Sequence, residues 1–266
     1  MGHFVMKKSL IVLMRWTLVL TLGMGLLRWN EDRKPIESID LEPVRVDVSV
    51  HALEANLALT LRKDSKDTVV SIETMMGENT DTTELSAEGD GRYTGHLSFP
   101  LDQRGACAVE AVITQDGATR RQTLRTYEDI FSLLPVRVQK FWREGPKYQE
   151  DSLGIRNGTL TMQVYDLNVA GMEGGSGTVE LRGYCGGTLA QAISGEWDPD
   201  SGLYSTGVLE VPCKLGDTLR ITLLCQDADG VAYEFTIGRW KVTTSGKVEE
   251  VPELKQDIYP ALTWPE

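Results

Sequence analysis

From Val44 to Ile237, apolar and polar residues alternate in short runs separated by glycine, proline and acidic turn residues. Val44, Val46, Val48 and Val50 alternate with Arg45, Asp47 and Ser49, which is the period of a strand with one face buried. The next runs are Leu57, Leu59 and Leu61, then Val70 and Ile72, then Tyr93 to Phe99, Cys107 to Ile113 and Thr119 to Tyr127. A second series follows, in Leu160 to Tyr165, Thr178 to Tyr184, Leu189 to Ile193, Leu203 to Val211, Leu219 to Cys225 and Val231 to Ile237. The pattern predicts an all-β chain over this span.

The second series echoes the first in its residues. Gly91-Arg92-Tyr93-Thr94-Gly95 leading to Pro100 returns as Gly202-Leu203-Tyr204-Ser205-Thr206-Gly207 leading to Pro212. Gln115-Asp116-Gly117 is answered by Gln226-Asp227-Ala228-Asp229-Gly230, and Pro43-Val44-Arg45-Val46 by Pro135-Val136-Arg137-Val138. Two copies of one domain are therefore predicted, with about seven strands in roughly a hundred residues each, the size and rhythm of an immunoglobulin-like sandwich. Between the tyrosine and the shared Thr-Gly, the second copy carries one extra residue, Ser205. One inserted residue would turn every later side chain to the opposite face, so a β-bulge at the Thr-Gly pair is expected to absorb it.

A different pattern opens the chain. Lys7 and Lys8 precede Ser9 to Leu27, apolar except for Arg15, and Arg28 closes the stretch. That reads as a hydrophobic helix, either an export signal or a membrane anchor. Counting Arg15 with the basic start leaves Trp16 to Leu22 as a short apolar core before Gly23-Met24-Gly25, a signal-peptide layout. If Arg15 snorkels to the interface, the whole stretch spans a bilayer. The expected location is the cell membrane, through this single N-terminal anchor with the remaining domains extracytoplasmic; the alternative is secretion after cleavage. The expected organisation is residues 1–34 as signal or anchor with linker, 35–132 and 133–243 as the two sandwiches, and 244–266 as a C-terminal tail.

Residues 1–28 hold four Lys or Arg and no acid, which leaves 23 basic against 39 acidic residues and a formal charge of −16 in the rest. Such a surface repels nucleic acid, and no nucleic-acid partner is expected. The four cysteines, Cys107, Cys185, Cys213 and Cys225, are too few for a disulfide scaffold of this length. Cys185 with Cys225 is the preferred pair because both end apolar alternating runs; reduced, buried thiols are the other reading. No CxxC or histidine cluster accompanies them, so neither a metal nor any other cofactor is expected.

Gly89-Asp90-Gly91-Arg92-Tyr93, followed by Pro100 and Gly105, resembles the Gly-x-Tyr hairpin of bacterial immunoglobulin-like and filamin-like surface domains, and Asp198-Pro199-Asp200-Ser201-Gly202-Leu203-Tyr204 repeats that look. The resemblance implies that each tyrosine packs into a sandwich behind an acidic, glycine-rich turn. It implies a broad role in adhesion, spacing or binding and nothing finer, since the inter-sheet cysteine pair and core tryptophan of antibody domains are missing.

Each candidate site also has a plain structural role. Asp198, Asp200, Asp227 and Asp229 alternate like calcium ligands, yet Asp, Pro and Gly are also what hairpin turns require. Gly171 to Gly177 lacks the Lys-Ser/Thr of a phosphate loop and reads as a hairpin loop. Asn157-Gly158-Thr159 fits a glycosylation sequon or a turn. Trp142, Trp197 and Trp240, with Tyr148 and Tyr184, are either stacking platforms for sugars or core edges. Trp142 belongs to a stretch from Phe141 to Arg156 that reads as an insertion absent from the first copy. A loop added to one copy is where a binding role specialises, so Trp142, Arg143, Lys147 and Tyr148 are the candidate binding residues, with an interdomain elbow as the competing reading.

Catalysis has little support. Beyond the N-terminal stretch the histidines are His51 and His96, expected in two strands of the first copy, and no Gly-x-Ser-x-Gly elbow is present. The sequence reads as two tandem Ig-like antiparallel β-sandwiches after an N-terminal hydrophobic helix, a non-catalytic binding or structural module whose partner is an envelope protein or polysaccharide. The alternatives are an extracytoplasmic sensor or assembly subunit of an envelope complex and, from another class, a carboxylate-dependent hydrolase with paired acids.

Overall fold

A computed structural model describes residues 34–141, 145–150, 157–170, 177–252, 254 and 258–265. The expected N-terminal helix, Trp142, Arg143 and most of the glycine-rich loop lie outside them. Among the described residues the chain is all-β, with antiparallel strands and one short 3-10 helix, Ile130–Leu133, and no helix is long and apolar enough to cross a membrane.

The strands run in chain order β1 (Ile36–Asp47), β2 (Ala52–Leu61), β3 (Val69–Met76), β4 (Asn79–Glu84), β5 (Ser86–Gly89), β6 (Arg92–Pro100), β7 (Cys107–Gln115) and β8 (Ala118–Tyr127). After the 3-10 helix come β9 (Arg137–Phe141), β10 (Lys147–Glu150), β11 (Asn157–Gln163), β12 (Tyr165–Ala170), β13 (Thr178–Cys185), β14 (Thr188–Ser194), β15 (Glu196–Asp198), β16 (Leu203–Ser205) and β17 (Val208–Lys214). The last four are β18 (Thr218–Gln226), β19 (Ala232–Val242), β20 (Val248–Val251) and β21 (Ala261–Thr263). The chain forms two compact units. One takes in Ala55–Leu97 and Ala106–Thr126 with the described residues up to Glu42; the other takes in Pro43–Glu54, Ser98–Gly105 and the described residues from Tyr127 onward.

The first series of strands makes two four-stranded sheets, in the orders β1-β2-β6-β5 and β4-β3-β7-β8. The second series repeats the latter and extends it, as β14-β13-β18-β19-β20 with β21 also pairing β19. It repeats the former in two pieces, β10-β11-β17 and β15-β16-β12-β9. Where one long strand serves the first series, the second uses two: β9 and β10 for β1, β11 and β12 for β2, β16 and β17 for β6. The extra residue Ser205 is therefore accommodated by a break at Thr206 and Gly207, not by a bulge in a continuous strand.

Burial follows the predicted periods where a run is long. Leu57, Leu59 and Leu61 are buried on β2, Val70 and Ile72 on β3, and Val109, Ala111 and Ile113 on β7. In the second unit Leu219, Ile221, Leu223 and Cys225 line one face of β18, with Tyr233 fully buried on the neighbouring β19. The expected Val44–Val50 face does not form. Val44 is 52% and Val50 61% exposed, Val46 is buried, and the strand ends at Asp47, whose carboxylate takes the Ser49 amide at 2.9 Å and starts the turn.

The preferred Cys185–Cys225 pair is not formed; all four cysteines are free thiols. β13 and β18 run antiparallel, with Cys185 opposite Leu219 and Cys225 opposite Val179. The two thiols thus sit at opposite ends of the strand pair, about 20 Å apart at the usual rise per residue.

β13 also faces β17 from the opposite sheet, and the approach is close at Gly183. A Cβ there would lie 2.3 Å from Val211 Cγ2 and 3.2 Å from Leu209 Cδ2. Val211 is fully buried and stiff at χ1, so it has no room to yield. Gly183→Ala is expected to destabilise the chain by about 1–3 kcal/mol, read as a lower denaturant midpoint in urea.

Candidate binding surface

Of the four predicted binding residues, Trp142 and Arg143 lie outside the described residues, and β10 carries the other two. Lys147 pairs across β11 with Thr161, and Tyr148 with Leu160. Lys147 is exposed and Tyr148 half-buried. The Tyr148 ring closes over Gly158, where a Cβ would come within 2.5 Å of ring carbon Cζ and of the Gln149 carbonyl. Part of the presumed insertion is therefore an edge strand of the β10-β11-β17 sheet, and Asn157-Gly158-Thr159 belongs to β11, not to a turn.

Trp197 and Trp240 are held by packing within the chain. Trp197 packs tilted against Tyr204, with ring centroids 4.9 Å apart. Trp240 is buried and covers Gly238. The acidic turns use their carboxylates internally. Asp198 accepts from the Asp200 amide at 3.0 Å and the Ser201 hydroxyl at 2.7 Å. Asp227 accepts from the amides of Asp229 and Val231 at 3.1 and 2.9 Å, and from the Tyr233 hydroxyl at 3.0 Å.

A cleft of about 470 Å³ opens in the second unit, and none of the four predicted binding residues lines it. Its lining brings Asp102 and Arg104, Phe131 of the 3-10 helix, Arg220 of β18, Glu234 and Arg239 of β19, and Tyr259 and Trp264 near the C-terminus into one hollow. Arg104 reaches the Asp129 carboxylate at 3.0 Å and lies 5.1 Å from the Tyr259 ring centroid. Asp129 also caps the 3-10 helix by accepting from the Phe131 amide at 2.9 Å, so one carboxylate fixes both the helix start and the guanidinium. His51 stacks flat on Trp264, centroids 4.2 Å apart and planes 4° from parallel, while its Nδ1 lies 3.1 Å from Asp102 Oδ1.

On the strand side, the Arg220 guanidinium sits 4.5 Å above the Tyr184 ring. The Tyr184 hydroxyl and the Thr222 hydroxyl both donate to Glu234 Oε1 at 2.7 Å. Burial, then the Glu234 carboxylate, holds the Tyr184 phenol above its ordinary range. The cleft thus presents fixed hydrogen-bonding groups beside aromatic faces, the combination that holds a sugar ring or a partner's side chain.

His51 and His96 were expected in strands. His96 is exposed on β6, but His51 occupies the turn before β2 with φ of 50°. A signal for the cleft existed in the sequence. Tyr259 and Trp264, each followed by a proline, are large aromatics in what reads as a tail, and β21 docks that tail on β19 through Ala232↔Thr263 and Glu234↔Ala261.

No protein-family model and no curated protein matches the chain. Among solved structures, red sea bream transglutaminase is 11% identical with a TM-score of 0.26, over 83% of this chain. The chain spans 32% of the length of that structure.

Proposed function

We propose that this chain is an exported or membrane-tethered, non-catalytic binding module of the cell envelope, built from two tandem Ig-like β-sandwiches behind an N-terminal hydrophobic segment. The observation that carries the reading is the cleft of the second unit, where Arg220 and Arg239 converge with Tyr259 and Trp264 in a chain whose remainder is acidic. Arginine and aromatic side chains are the types that dominate binding energy at interfaces. The ligand class is an envelope protein or polysaccharide. The edge strand carrying Lys147 and Tyr148, with Trp142 and Arg143 before it, is the second contact surface.

Two substitutions test the cleft and two test the predicted binding residues. With the full chain immobilised, Arg220→Ala plus Trp264→Ala is expected to weaken retention of envelope protein or cell-wall polysaccharide at least about tenfold, the scale of a lost interface hot spot. Trp142→Ala plus Tyr148→Ala reports on the other surface in the same assay. Unchanged retention in both pairs, with intact thermal stability, rejects the binding role. Alkaline carbonate extraction tests the tether: the intact chain is expected in the membrane pellet, and a full-length soluble cytosolic protein overturns both anchor and export.

One observation favours a second reading, a carboxylate-dependent hydrolase. Asp102, paired with His51, and Glu234 line the same cleft. Release of reducing ends from cell-wall polysaccharide, abolished by Glu234→Gln, would select it over the binding module.

A further inference from the structure

The close approach of β13 and β17 extends past Gly183. Residues two apart on a strand share a face, so Cys185 follows Gly183 and Cys213 follows Val211 into the space between the same two strands. The two thiols come close enough there to influence each other's ionisation, and both line a cavity of about 510 Å³ together with Pro212 and Asp217. Asp217 Oδ2 accepts from Cys185 Sγ at 3.3 Å and from the Lys214 amide, next to Cys213, at 2.8 Å. One carboxylate therefore fixes the chain around both sulfurs. Cys213 is buried and Cys185 half-buried. The remaining cysteines are placed elsewhere: Cys225 opposite Val179, Cys107 in the other unit.

The pair is peculiar to the second copy. In the first, Met76 ends the strand before the corresponding turn and Leu101 follows the corresponding proline, so both positions are apolar. Nothing about the sandwich core requires thiols at this place.

We propose that Cys185 and Cys213 are an oxidation site, a dithiol that closes to a disulfide joining β13 to β17 when the chain meets a small-molecule or protein disulfide. Cys185, the more accessible sulfur, attacks one sulfur of the incoming disulfide, forming a mixed disulfide and releasing one thiolate. Cys213 then attacks Cys185 Sγ, and the second thiolate leaves. The protein loses two electrons and two protons. The incoming disulfide is reduced, and the two protons end on the two released thiols. Burial holds both protein thiols above their ordinary range, so the exchange is slow at neutral pH and quickens as pH rises. The bridge spans from one sheet to the other and ties the edge of the unit at the contact where β13 and β17 already touch. This site is independent of the ligand cleft.

The full chain, purified under reducing conditions, is exposed to oxidised glutathione and its free thiols are titrated after denaturation, with peptide mapping of the same sample. The four thiols are expected to fall to two, with Cys185 and Cys213 in one cross-linked peptide and a thermal midpoint raised by about 5 °C. Cys213→Ser is expected to stop at a single glutathione adduct on Cys185, and Cys107→Ser with Cys225→Ser to oxidise as the unaltered chain does. Four thiols that persist, or a cross-link that includes Cys107 or Cys225, overturns the proposal. Mapping of the unaltered chain decides between these outcomes even where the Cys213→Ser chain fails to fold.

Discussion

Replacing Tyr93 or Tyr204 with alanine is expected to cost about 3–5 kcal/mol, the range for deleting a large buried aromatic. The two side chains are 3% and 2% exposed, and each follows a turn whose glycine has positive φ, 73° at Gly91 and 67° at Gly202. At Gly91 a Cβ would lie 3.1 Å from the Leu61 carbonyl, and the Leu61 amide donates to the Gly91 carbonyl at 2.8 Å, so the turn is clamped to β2 while it delivers the ring. The hydroxyls find different partners. Tyr93 donates to Asp64 at 2.8 Å, and Tyr204 to the Gly177 carbonyl at 3.0 Å. The ring is thus what the two copies share. Phenylalanine at either position is expected to cost only about 1 kcal/mol, the net worth of one hydrogen bond. Denaturant titration of the full chain checks both. An alanine loss below about 1 kcal/mol would remove these tyrosines from the core.

That glycine-tyrosine element was legible because its parts act locally. A turn needs positive φ, glycine supplies it, and a tyrosine two residues on has one face to fill. Long alternating runs such as Leu219 to Cys225 were legible for the same reason. Strands held by their neighbours alone were not. β4, Asn79-Thr80-Asp81-Thr82-Thr83-Glu84, has no buried residue. It is a strand because every residue from Asn79 to Glu84 has a partner on β3. β15 and β20 are short and likewise have no buried residue.

The alternating valines from Val44 misled because alternation reports a face only if another layer covers it, and at Val44 and Val50 none does. Beyond the aromatic tail at Tyr259 and Trp264, the cleft left no local sign in the sequence. His51, Asp102, Arg220, Glu234 and Trp264 come from turns and strands far apart in sequence, and no spacing rule links a C-terminal tryptophan to a histidine in an early turn. The thiol pair failed by register. Counting from strand ends put Cys185 beside Cys225, whereas antiparallel pairing sends them to opposite ends, and the partner lay across the sheets at Cys213.

Raising the pH above about 9 is expected to unfold the chain steeply, because its core holds several acids that ionise only with difficulty when folded. Burial pushes the Cys107 thiol up to about 11 and the Cys225 thiol up to about 12, from an ordinary 9.0. Burial, then the Asp64 carboxylate, pushes the Tyr93 phenol from 10.0 up to about 12. Tyr233 and Cys213 are raised too, first by burial and then by Asp227 and Cys185 respectively. The unfolded chain loses these protons first, at the ordinary values. Between the ordinary and the folded values the unfolded state therefore binds fewer protons, and stability falls as pH rises. Each group adds a slope of up to about 1.4 kcal/mol per pH unit across its window. Several acting together remove a large share of the roughly 5–15 kcal/mol that holds a typical domain. The urea midpoint is expected to stay flat to about pH 9, where the thiols begin to contribute, and to steepen near pH 10 as the tyrosines join. Cys107→Ala with Cys225→Ala removes part of the first step and is expected to make the fall between about pH 9 and pH 10 shallower, leaving the tyrosine step in place. Tyrosinate absorbance distinguishes this from a surface effect: the buried phenols are expected to ionise together with unfolding, and a gradual rise in a chain that stays folded would contradict their burial.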